Sequence, residues 1–526
     1  MATDDHGFAY YCYLCSTWIA IIALVQLVIK TCTIFCTKTR HPPSPRALPI
    51  IGHLHLLSSS LPNSLKTLAG QYGPLMLIRF GSTPVFVVSD ARTAREILKT
   101  HDVDFASKFT LAFGLSKFDI YDGYTFFNAE YGTYWRFMKK LCMTKLFAGT
   151  QLDRFIHIRE QETLKLLRSL VEKSRAGQPC DLGEELSVLS SNIICRMAIG
   201  KRCIENPNLP VEIRNLIGDI MKNAAKFSFN EVFGPFSRFD FLGKGQRLVS
   251  ATCKYDRLME QLMKKYEEQV ELINGGDHDG EKDVMDILME TFKDNNAELK
   301  LTRMHIKKFF LEIFFAGVET MAAAMQSAIT ELIQNPTVFT KLREEICMTV
   351  GSDHRLVKES DVPNLPFLQA VVKETLRLSP VGSLRARQCN VDSKINGYDI
   401  KAGSRILING YAIMRDSNTW DRPDEFMPER FLPAKSTDSS EDHHPALDFK
   451  GDQDFHYLPF GSGRRACVGA SHGLVVTLST IGMLVQCFDW ELKDADKIDT
   501  KTTGYSGSRA LPLACYPTTS FDPTKA

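Results

Sequence analysis

The sequence predicts a protein that is mainly α with small β-sheets, preceded by one N-terminal transmembrane anchor helix. Three observations support this fold class: an uncharged run over residues 8–29, a helical pattern from Thr302 to Gln334, and strand patterns over residues 75–79 and 85–88. The chain has 526 residues, 44% of them hydrophobic, which is enough to bury a sizeable core.

The N-terminal run is long enough to cross the hydrocarbon core of a membrane. It contains 22 residues without a charge, and about 20 apolar residues suffice for a spanning helix. Lys30, Lys38 and Arg40 follow the run, so the positive-inside rule places the C-terminal side in the cytosol. We expect an uncleaved single-pass anchor over residues 1–40, with a buried N-terminal helix as the alternative.

A proline-rich hinge over residues 41–52 follows the anchor, and closely spaced prolines favour an extended, stiff connector. We expect one large domain from this hinge onward, over residues 41–526. The two strand patterns come next, and Ser89 or Asp90 is predicted to cap the helix that follows them. Helical patterns dominate beyond, and the polar segment 434–455 is predicted to be a surface loop.

Charge and cysteine content exclude some functions. The chain has 63 basic and 62 acidic residues and so lacks the basic excess that nucleic-acid binding requires; no nucleic-acid partner is expected. Fourteen cysteines in a chain of this length are too sparse for a disulfide framework, and we expect reduced thiols.

The pattern from Thr302 to Gln334 predicts one helix that ends before Pro336. Residues 309–324 are apolar nearly all round, so this helix must pass through the core. Glu312 and Glu319 are the exceptions, and acidic residues inside a core helix need either a partner or a chemical role.

The strongest chemical signal is a cysteine on a glycine-rich loop. Gly463 and Gly469 are predicted to allow tight turns, and the helix predicted over Ala470–Cys487 would direct its N-terminus toward the sulfur. Cys467 is therefore a candidate thiolate ligand of a haem iron, and a buried free cysteine beside a turn is the alternative. The full motif reads Phe460-Gly461-Ser462-Gly463-Arg464-Arg465-Ala466-Cys467-Val468-Gly469.

Taken in order, the motifs resemble the cytochrome P450 superfamily from the hinge to Cys487. The segment from Ala316 to Thr320 is similar to the oxygen-activating segment of that family, and Glu374 to Arg377 and Pro428 to Phe431 follow at the usual distances. The resemblance implies the cytochrome P450 fold and a catalytic domain that binds haem b, with Cys467 as the axial thiolate ligand of the iron.

The resemblance also implies roles for individual residues. Thr320 would hydrogen-bond dioxygen, Glu319 would relay protons, and Gly317 would leave room for the dioxygen. A threonine bonded to its own helix and a buried acid paired with a base are the alternatives for Thr320 and Glu319. Further haem contacts are implied for Arg465, Trp135, Lys139, Arg387, Phe460 and Gly463, and Glu374, Arg377 and Arg430 are expected to form a structural ion-pair cluster.

The sequence contains no flavin or nicotinamide fingerprint of its own, so electrons must come from a partner. The resemblance implies the NADPH–cytochrome P450 reductase and a location on the endoplasmic reticulum membrane, with the catalytic domain in the cytosol. A basic docking face for the reductase is predicted, with a solvated helix face as the alternative. Its candidates are Arg136, Lys139, Lys140, Lys145 and Arg464.

The sequence is similar to plant A-type microsomal enzymes, nearest to a subfamily with members that act on triterpenoids. Candidate pocket segments are residues 109–118, 309–316, 381–384 and 505–509, which are largely apolar, and residues 227–241 either contact the membrane or pack in the core. The hypothesis is hydroxylation of a friedelane-like methyl group, with the same carbon open to further oxidation to aldehyde and acid. A flavonoid or smaller terpenoid substrate is the alternative; an isomerase or dehydratase and a haem sensor are more remote.

Overall fold

The chain is described by a computed structural model over residues 13, 15–21, 40–109, 120–121, 123–147, 149–200, 206–227, 244–272, 282–351, 355–432, 454–492 and 513–523. Residues 13 and 15–21 are helical, and the rest of the predicted anchor lies outside the described residues. The same is true of residues 228–241 and 505–509 and of most of the polar segment 434–455.

The N-terminal part of the domain combines short helices with one β-hairpin. Asp90 caps the helix after the hairpin, as predicted, because its carboxylate accepts a hydrogen bond of 3.0 Å from the Thr93 amide. The elements are a 3₁₀ turn (Leu54–Leu56), α1 (Leu61–Tyr72), β1 (Leu75–Phe80), β2 (Thr83–Val88) and α2 (Ala91–Arg95), which continues as a π-helical turn (Glu96–Thr100).

Long helices form the middle of the chain. They are α3 (Thr133–Leu141) with a π-helical turn (Cys142–Leu146), α4 (Gly149–Asp153), α5 (Ile156–Arg175), the short strand β3 (Cys180–Asp181), α6 (Leu182–Ile199), α7 (Leu209–Phe227), α8 (Lys244–Leu272), α9 (Val284–Lys293), α10 (Arg303–Gln334) and α11 (Pro336–Val350).

The last part mixes helices and strands. Its elements are a 3₁₀ turn (Glu359–Asn364), α12 (Pro366–Leu378), β4 (Leu384–Gln388), β5 (Ser393–Ile395), β6 (Tyr398–Ile400), β7 (Arg405–Asn409), α13 (Gly410–Ile413), a second 3₁₀ turn (Pro428–Phe431), α14 (Ala470–Cys487), β8 (Phe488–Leu492) and β9 (Ala514–Thr519).

The described strands form three small sheets. The first has the order β1-β2-β7-β4, in which β2 and β7 are parallel with Val85 opposite Arg405, and the other pairs are antiparallel. The second has the order β3-β9-β8 and joins the middle of the chain to its C-terminal part, with Cys180 opposite Cys515. The third is the β5-β6 hairpin. A mainly helical fold with small sheets, as predicted, is confirmed.

Helix α10 runs through the main hydrophobic core. Thr302 caps it by accepting a hydrogen bond from the His305 amide, and it ends where Asn335 and Pro336 begin α11, at the predicted boundaries. Its 32 residues span about 48 Å at 1.5 Å per residue. It packs against α6, α14, α12 and α11, so side chains on its different faces reach different parts of the protein.

Two described helices, Arg303–Gln334 and Ala470–Cys487, are long and apolar enough to cross a membrane. Both are mostly buried inside the protein, which identifies them as core helices. Phe455, at the end of the segment predicted to be a surface loop, is buried beside Leu458 in a second apolar cluster. That end of the loop prediction is wrong, because an aromatic side chain there gains more from packing than from solvent.

Candidate active site

The loop that carries Cys467 is closed by backbone hydrogen bonds. The Cys467 amide donates to the Phe460 carbonyl at 3.0 Å, and the Ala466 amide donates to the Gly463 carbonyl at 3.0 Å. Gly463 has a φ of +70°, and a Cβ atom there would lie 2.6 Å from the Leu98 carbonyl oxygen and 2.6 Å from Asp102 Oδ1. Only glycine fits this position, because both the backbone conformation and the space exclude a side chain.

The prediction for Gly469 is wrong. Its φ is −94°, which any residue adopts, and it occupies the N-cap position of α14 with open space where a side chain would be. The other glycine of the loop with a positive φ is Gly461, at +73°.

The Cys467 side chain lies deep within the protein but keeps accessible surface. Burial raises the pKa of its thiol, whereas a backbone hydrogen bond from Gly469 and the charges of Lys139 and Lys108 lower that pKa. The surroundings thus supply cations and an N–H donor to a sulfur that burial alone would keep protonated. A metal ion bound to this sulfur would shift it further toward the thiolate.

Three cations, the buried Arg387 and Arg465 and the half-buried Lys108, lie close enough to affect each other's charge. Burial, Arg387 and Arg465 lower the pKa of Lys108 to about 7, and burial followed by Arg387 lowers the pKa of Arg465 to about 9. Within the described ranges no carboxylate is within ion-pair distance of Lys108 or Arg465. Such a cluster suits a ligand with more than one carboxylate, and the two propionates of a haem fit it.

The predicted haem contacts on α3 converge on the same loop. The Arg465 guanidinium lies 4.3 Å from the centroid of the buried Trp135 ring, and Lys139 Nζ donates to the Ala466 carbonyl at 2.9 Å. Arg387, on β4, is buried and donates to the Ala386 carbonyl at 2.9 Å. The structure therefore brings Cys467, Arg465, Trp135 and Lys139 together across a long separation in sequence.

The structure removes one residue, Lys139, from the predicted basic docking face. Arg136, Lys140 and Lys145 are exposed, but Lys139 is directed at the Ala466 carbonyl and does not belong to an open surface. Lys140 pairs loosely with Glu298 at 3.4 Å, and the exposed Arg464 is held by Asp102 at 2.7 Å.

Thr320 and Glu319 point to different surroundings. The Thr320 hydroxyl donates to the Ala316 carbonyl of its own helix, which is the alternative that the sequence left open. Glu319 lines a cavity of about 130 Å³ between α6, α7 and α10, together with Arg214 and Ser191. Burial raises the pKa of the Glu319 carboxyl and the nearby Arg214 lowers it. In the part of the chain that is described, no hydrogen bond joins Glu319 to Thr320.

Gly317 lies where α10 packs against α6. A Cβ atom on Gly317 would lie 2.9 Å from Ile194 Cδ1 and 3.1 Å from Ile194 Cγ1, on the side of α10 that faces α6. The missing side chain lets the two helices approach closely. Room for dioxygen beside Gly317 stays a prediction.

In the predicted structural cluster, Glu374 and Arg377 are fully buried and Arg430 is partly buried. Glu374 and Arg377 form a bidentate pair at 2.7 and 2.8 Å, and Arg430 Nε lies 3.3 Å from the same carboxylate. Arg377 also donates to the carbonyls of Met414 and Pro423 at 2.9 and 2.7 Å, so the pair holds α12 against the chain that follows α13.

Sequence reasoning missed two residues around the site. Lys108 had no signal, because nothing in its local pattern relates it to Cys467. Glu312 had a partial signal as an acid within a core helix, but its partners are distant in sequence. Its buried carboxylate accepts hydrogen bonds from the Thr125 hydroxyl and from the amides of Phe126 (2.9 Å) and Phe127 (3.3 Å).

Comparisons with known proteins agree with this site. The family model described as cytochrome P450 matches residues 42–512. A 3,9-dihydroxypterocarpan 6A-monooxygenase of Glycine max is 38% identical over 96% of this chain and 98% of its own length. A beta-amyrin 24-hydroxylase of Glycine max is 38% identical over 98% of this chain and 99% of its own length. Cytochrome P450 93B2 of Gerbera hybrida is 38% identical over 91% of each chain.

Proposed function

The chain belongs to the cytochrome P450 family, and from that premise we propose that it is a membrane-anchored monooxygenase that hydroxylates an unactivated methyl group of a bulky apolar triterpenoid. The family's haem, held by a cysteine thiolate, supplies the chemistry that activates O2 and inserts one oxygen atom into a substrate. A friedelane-like skeleton is the proposed substrate, with further oxidation of the same carbon to aldehyde and acid.

The observation that carries the proposal is the convergence of an accessible sulfur with enclosed cations. Cys467 supplies the ligand, Arg465 and Lys108 supply positive charge for two propionates, and the Trp135 ring stacks under Arg465. Paired with the 42–512 family match, this donor set favours a haem enzyme over a protein in which the thiol is only a packed core residue.

Proton delivery is assigned to the two polar residues of the α10 segment. Glu319 holds a proton more readily than a carboxyl in water, because burial raises its pKa. The Thr320 hydroxyl donates to the Ala316 carbonyl, so its oxygen is free to accept a further hydrogen bond. Passage of a proton from Glu319 to Thr320 Oγ1 then requires a bridging water or a rotation of the side chains.

The substrate class is supported by the apolar character of the predicted pocket segments. Most of their described members, such as Phe109, Phe309, Ile313, Ala316 and Leu384, have apolar side chains, and Glu312 and Ser383 are the polar exceptions. A flavonoid requires several polar partners for its hydroxyls, whereas a pentacyclic triterpene requires mainly a large apolar cavity. The relatives named for a pterocarpan and for beta-amyrin are equally similar at 38%, so overall identity does not decide between the classes.

Membrane attachment is supported by the described part of the N-terminal segment. Residues 15–21 are helical, and Trp18, Ile19 and Ile21 expose 62%, 62% and 51% of their surface. Large apolar side chains on all sides of a helix are suited to lipid. We place the anchor in the endoplasmic reticulum membrane, with the catalytic domain in the cytosol, where it takes electrons from the NADPH–cytochrome P450 reductase.

The test of substrate class is co-expression with a plant reductase in yeast strains that make a panel of triterpenes, followed by product mass analysis. We expect products heavier than their substrates by one oxygen atom. Conversion of flavanones without any triterpene product would replace the substrate proposal by its alternative. NADPH consumption that requires both reductase and substrate separates a monooxygenase from an isomerase, a dehydratase and a haem sensor.

The test of the cofactor assignment is Cys467→Ser. The reduced wild-type protein under carbon monoxide should give the absorption band of thiolate-ligated haem, and the variant should lose that band and its activity. Normal turnover by Cys467→Ser would refute the ligand assignment.

Thr320→Ala tests proton delivery: NADPH oxidation should continue while product falls and peroxide rises, and unchanged coupling would remove Thr320 from the mechanism.

A further inference from the structure

Glu312 is a buried carboxylate that the proposed proton route does not use. It lies on α10 about two turns before Thr320, with 8% of its surface exposed. All three of its hydrogen bonds come from one turn, from the Thr125 hydroxyl and the amides of Phe126 and Phe127. A carboxylate that accepts three hydrogen bonds and donates none fixes the position of the backbone that supplies them.

The same turn holds Arg465 from its other side. The Phe127 carbonyl accepts a hydrogen bond of 3.4 Å from Arg465, and the Ala129 carbonyl accepts another. The N–H groups of residues 126–127 thus face Glu312, and carbonyls of residues 127 and 129 face the guanidinium. In this set of contacts, the turn is the segment of backbone that bonds to both Glu312 and Arg465. Arg465 is two residues from Cys467 in the loop.

Aromatic packing follows the same path. The Phe309 ring, nearly one helical turn before Glu312, lies 5.9 Å from the Phe126 ring, which is stacked on Trp135 at 6.3 Å with an interplanar angle of 15°. Trp135 in turn supports the Arg465 guanidinium at 4.3 Å. Two parallel routes, one polar and one aromatic, therefore connect α10 to Arg465.

We propose that Glu312 is a positioning residue for the haem: it fixes the 125–129 turn, and through that turn it sets the position of Arg465 and the strength with which the protein holds the haem propionates. This inference rests on the proposed haem function. Glu312 bonds to neither Cys467 nor Arg465, so its effect on their position passes through the turn, while its charge also acts on Lys108 and raises the pKa of that side chain. Residues that orient the direct partners of a metal group typically change its affinity about 10–100-fold.

Glu312→Gln is the test variant, because it keeps the size of the side chain and removes the charge. One amide oxygen can accept the two backbone hydrogen bonds from Phe126 and Phe127, but the NH2 group then faces the Thr125 hydroxyl, which can no longer donate to residue 312. Glu345→Gln is the matched control. Glu345 is also shielded from solvent and accepts two backbone hydrogen bonds, from Phe367 and Leu368 at 2.7 and 2.9 Å, but it anchors the start of α12.

The readouts are the rate at which the full-length protein transfers haem to an excess of apomyoglobin and the reduction potential of the haem. We expect Glu312→Gln to release haem roughly tenfold faster and to shift the potential to more positive values, because a negative charge is lost. Glu345→Gln should keep the wild-type release rate and potential even where its thermal midpoint falls.

The outcomes separate the two levels of the proposal. A wild-type protein without a thiolate-haem spectrum would refute the proposed function itself. A wild-type spectrum combined with unchanged release and potential in Glu312→Gln would refute only the positioning role. Where Glu312→Gln does not fold, Thr125→Val replaces it: it removes one donor and keeps the charge, and it should speed haem release about threefold. An unchanged rate in Thr125→Val would then overturn the inference.

Discussion

At the scale of the residue, the centre is defined by charges that the protein keeps apart from solvent. Lys108 is the clearest case, because burial and its neighbours Arg387 and Arg465 lower its pKa to about 7. An enclosed cation of this kind lowers the stability of the protein unless an anion joins it. Lys108 should therefore lower the stability of the haem-free protein and help to hold the anionic cofactor in the loaded protein, and both effects can be measured.

We expect Lys108→Met to raise the thermal midpoint of the haem-free protein and to speed haem release from the loaded protein roughly tenfold. The thermal midpoint rises because the substitution removes a charge from a poorly solvated site. Haem release becomes faster because the same substitution removes a partner of the propionates. Lys140→Met is the control, because Lys140 is 71% exposed and should change either value by less than about twofold. A Lys108→Met protein that loses stability in both forms would show that the side chain has only a packing role.

His472 gives a pH dependence unrelated to the cofactor. It is 3% exposed on α14, and within the described structure neither ring nitrogen has a hydrogen-bond partner. Burial, followed by the charge of Arg159, lowers its pKa from 6.5 to about 3. Below pH 6.5 His472 is therefore protonated in the unfolded chain but stays neutral in the folded chain. The free energy of unfolding falls as the pH falls toward 3.

His472→Leu should remove this loss. At pH 5 the histidine costs about 2 kcal/mol relative to neutral pH, from 1.36 kcal/mol per pH unit below its unfolded-state pKa. Urea unfolding of the protein in detergent between pH 5 and 8 measures it. The variant should be more stable than wild type at pH 5 and similar at pH 8, and the exposed His55→Leu should follow the wild-type profile. Parallel profiles for His472→Leu and wild type would contradict the assignment.

Residue identity predicted part of the site and left part of it open. Cys467 and Arg465 were found because they share one short loop, and the glycine at 463 marks that loop. Lys108 and the Thr125 hydroxyl were not found, because their partners lie far along the chain and side-chain contact across such distances depends on the packed fold. The contact between position 317 and Ile194 could not be predicted, since the motif predicts the residue type but the rotation of the helix decides what that residue faces.

At the scale of the element, α10 carries separate tasks on separate faces. Glu312 reaches the 125–129 turn, Thr320 bonds to its own helix, Gly317 contacts α6, and Glu319 lines the cavity beside α7. A rigid helix of this length fixes these groups relative to each other more firmly than loops would. Substitutions on one face should therefore have effects that differ in kind from those on another.

Gly317→Ala tests the assignment of its face. The added methyl group would clash with Ile194 Cδ1 at 2.9 Å, at a cost of about 1–3 kcal/mol, partly offset by a gain in helix propensity of about 1 kcal/mol. Ile194→Val removes that atom but keeps the Cγ atom at 3.1 Å, so the double variant should recover part of the lost stability in chemical unfolding and keep wild-type coupling of NADPH to product. Peroxide release in the double variant would instead favour the predicted role of Gly317 beside dioxygen.

The bounds of α10 could be predicted because its ends are local, set by Thr302 and Pro336, and α14 could be predicted from its apolar run. The parallel pairing of β2 with β7 could not, because Val85 and Arg405 are far apart in sequence and short strands carry little register information. The pairing of β3 with β9 has the same origin, since a two-residue strand is defined only by its partner.

At the scale of the whole molecule, the chain from residue 40 onward is bound to the catalytic domain. The Arg40 amide donates to Asp399 Oδ2 at 2.9 Å, the Asp399 amide donates to the Arg40 carbonyl at 2.9 Å, and the Pro43 carbonyl accepts from Leu77 at 2.9 Å. The hinge is thus a docked strap along β1 and β6. The predicted membrane anchor can be removed only up to this point without loss of these contacts.

Deletion of residues 1–39 should release part of the protein from membranes and keep the thiolate-haem spectrum, because every contact from Arg40 onward remains. Centrifugation of the membrane fraction and a carbon monoxide spectrum of each fraction measure the two effects. Deletion of residues 1–53 is the comparison: it removes the strap and should lower the yield of spectrally intact protein. Loss of the spectrum in the shorter deletion would show that the anchor is part of the fold.

The buried pair of Glu374 and Arg377 constrains how this protein can change over evolutionary time. Removal of either partner alone strands a charge and costs about 3–5 kcal/mol, a large share of the 5–15 kcal/mol that a folded domain typically has. Replacement of both by apolar residues is often nearly neutral, but the route passes through a single substitution that removes much of the protein's stability. The pair is therefore difficult to lose by single substitutions. Its presence reflects the cost of those substitutions more than the net stability that the ion pair contributes.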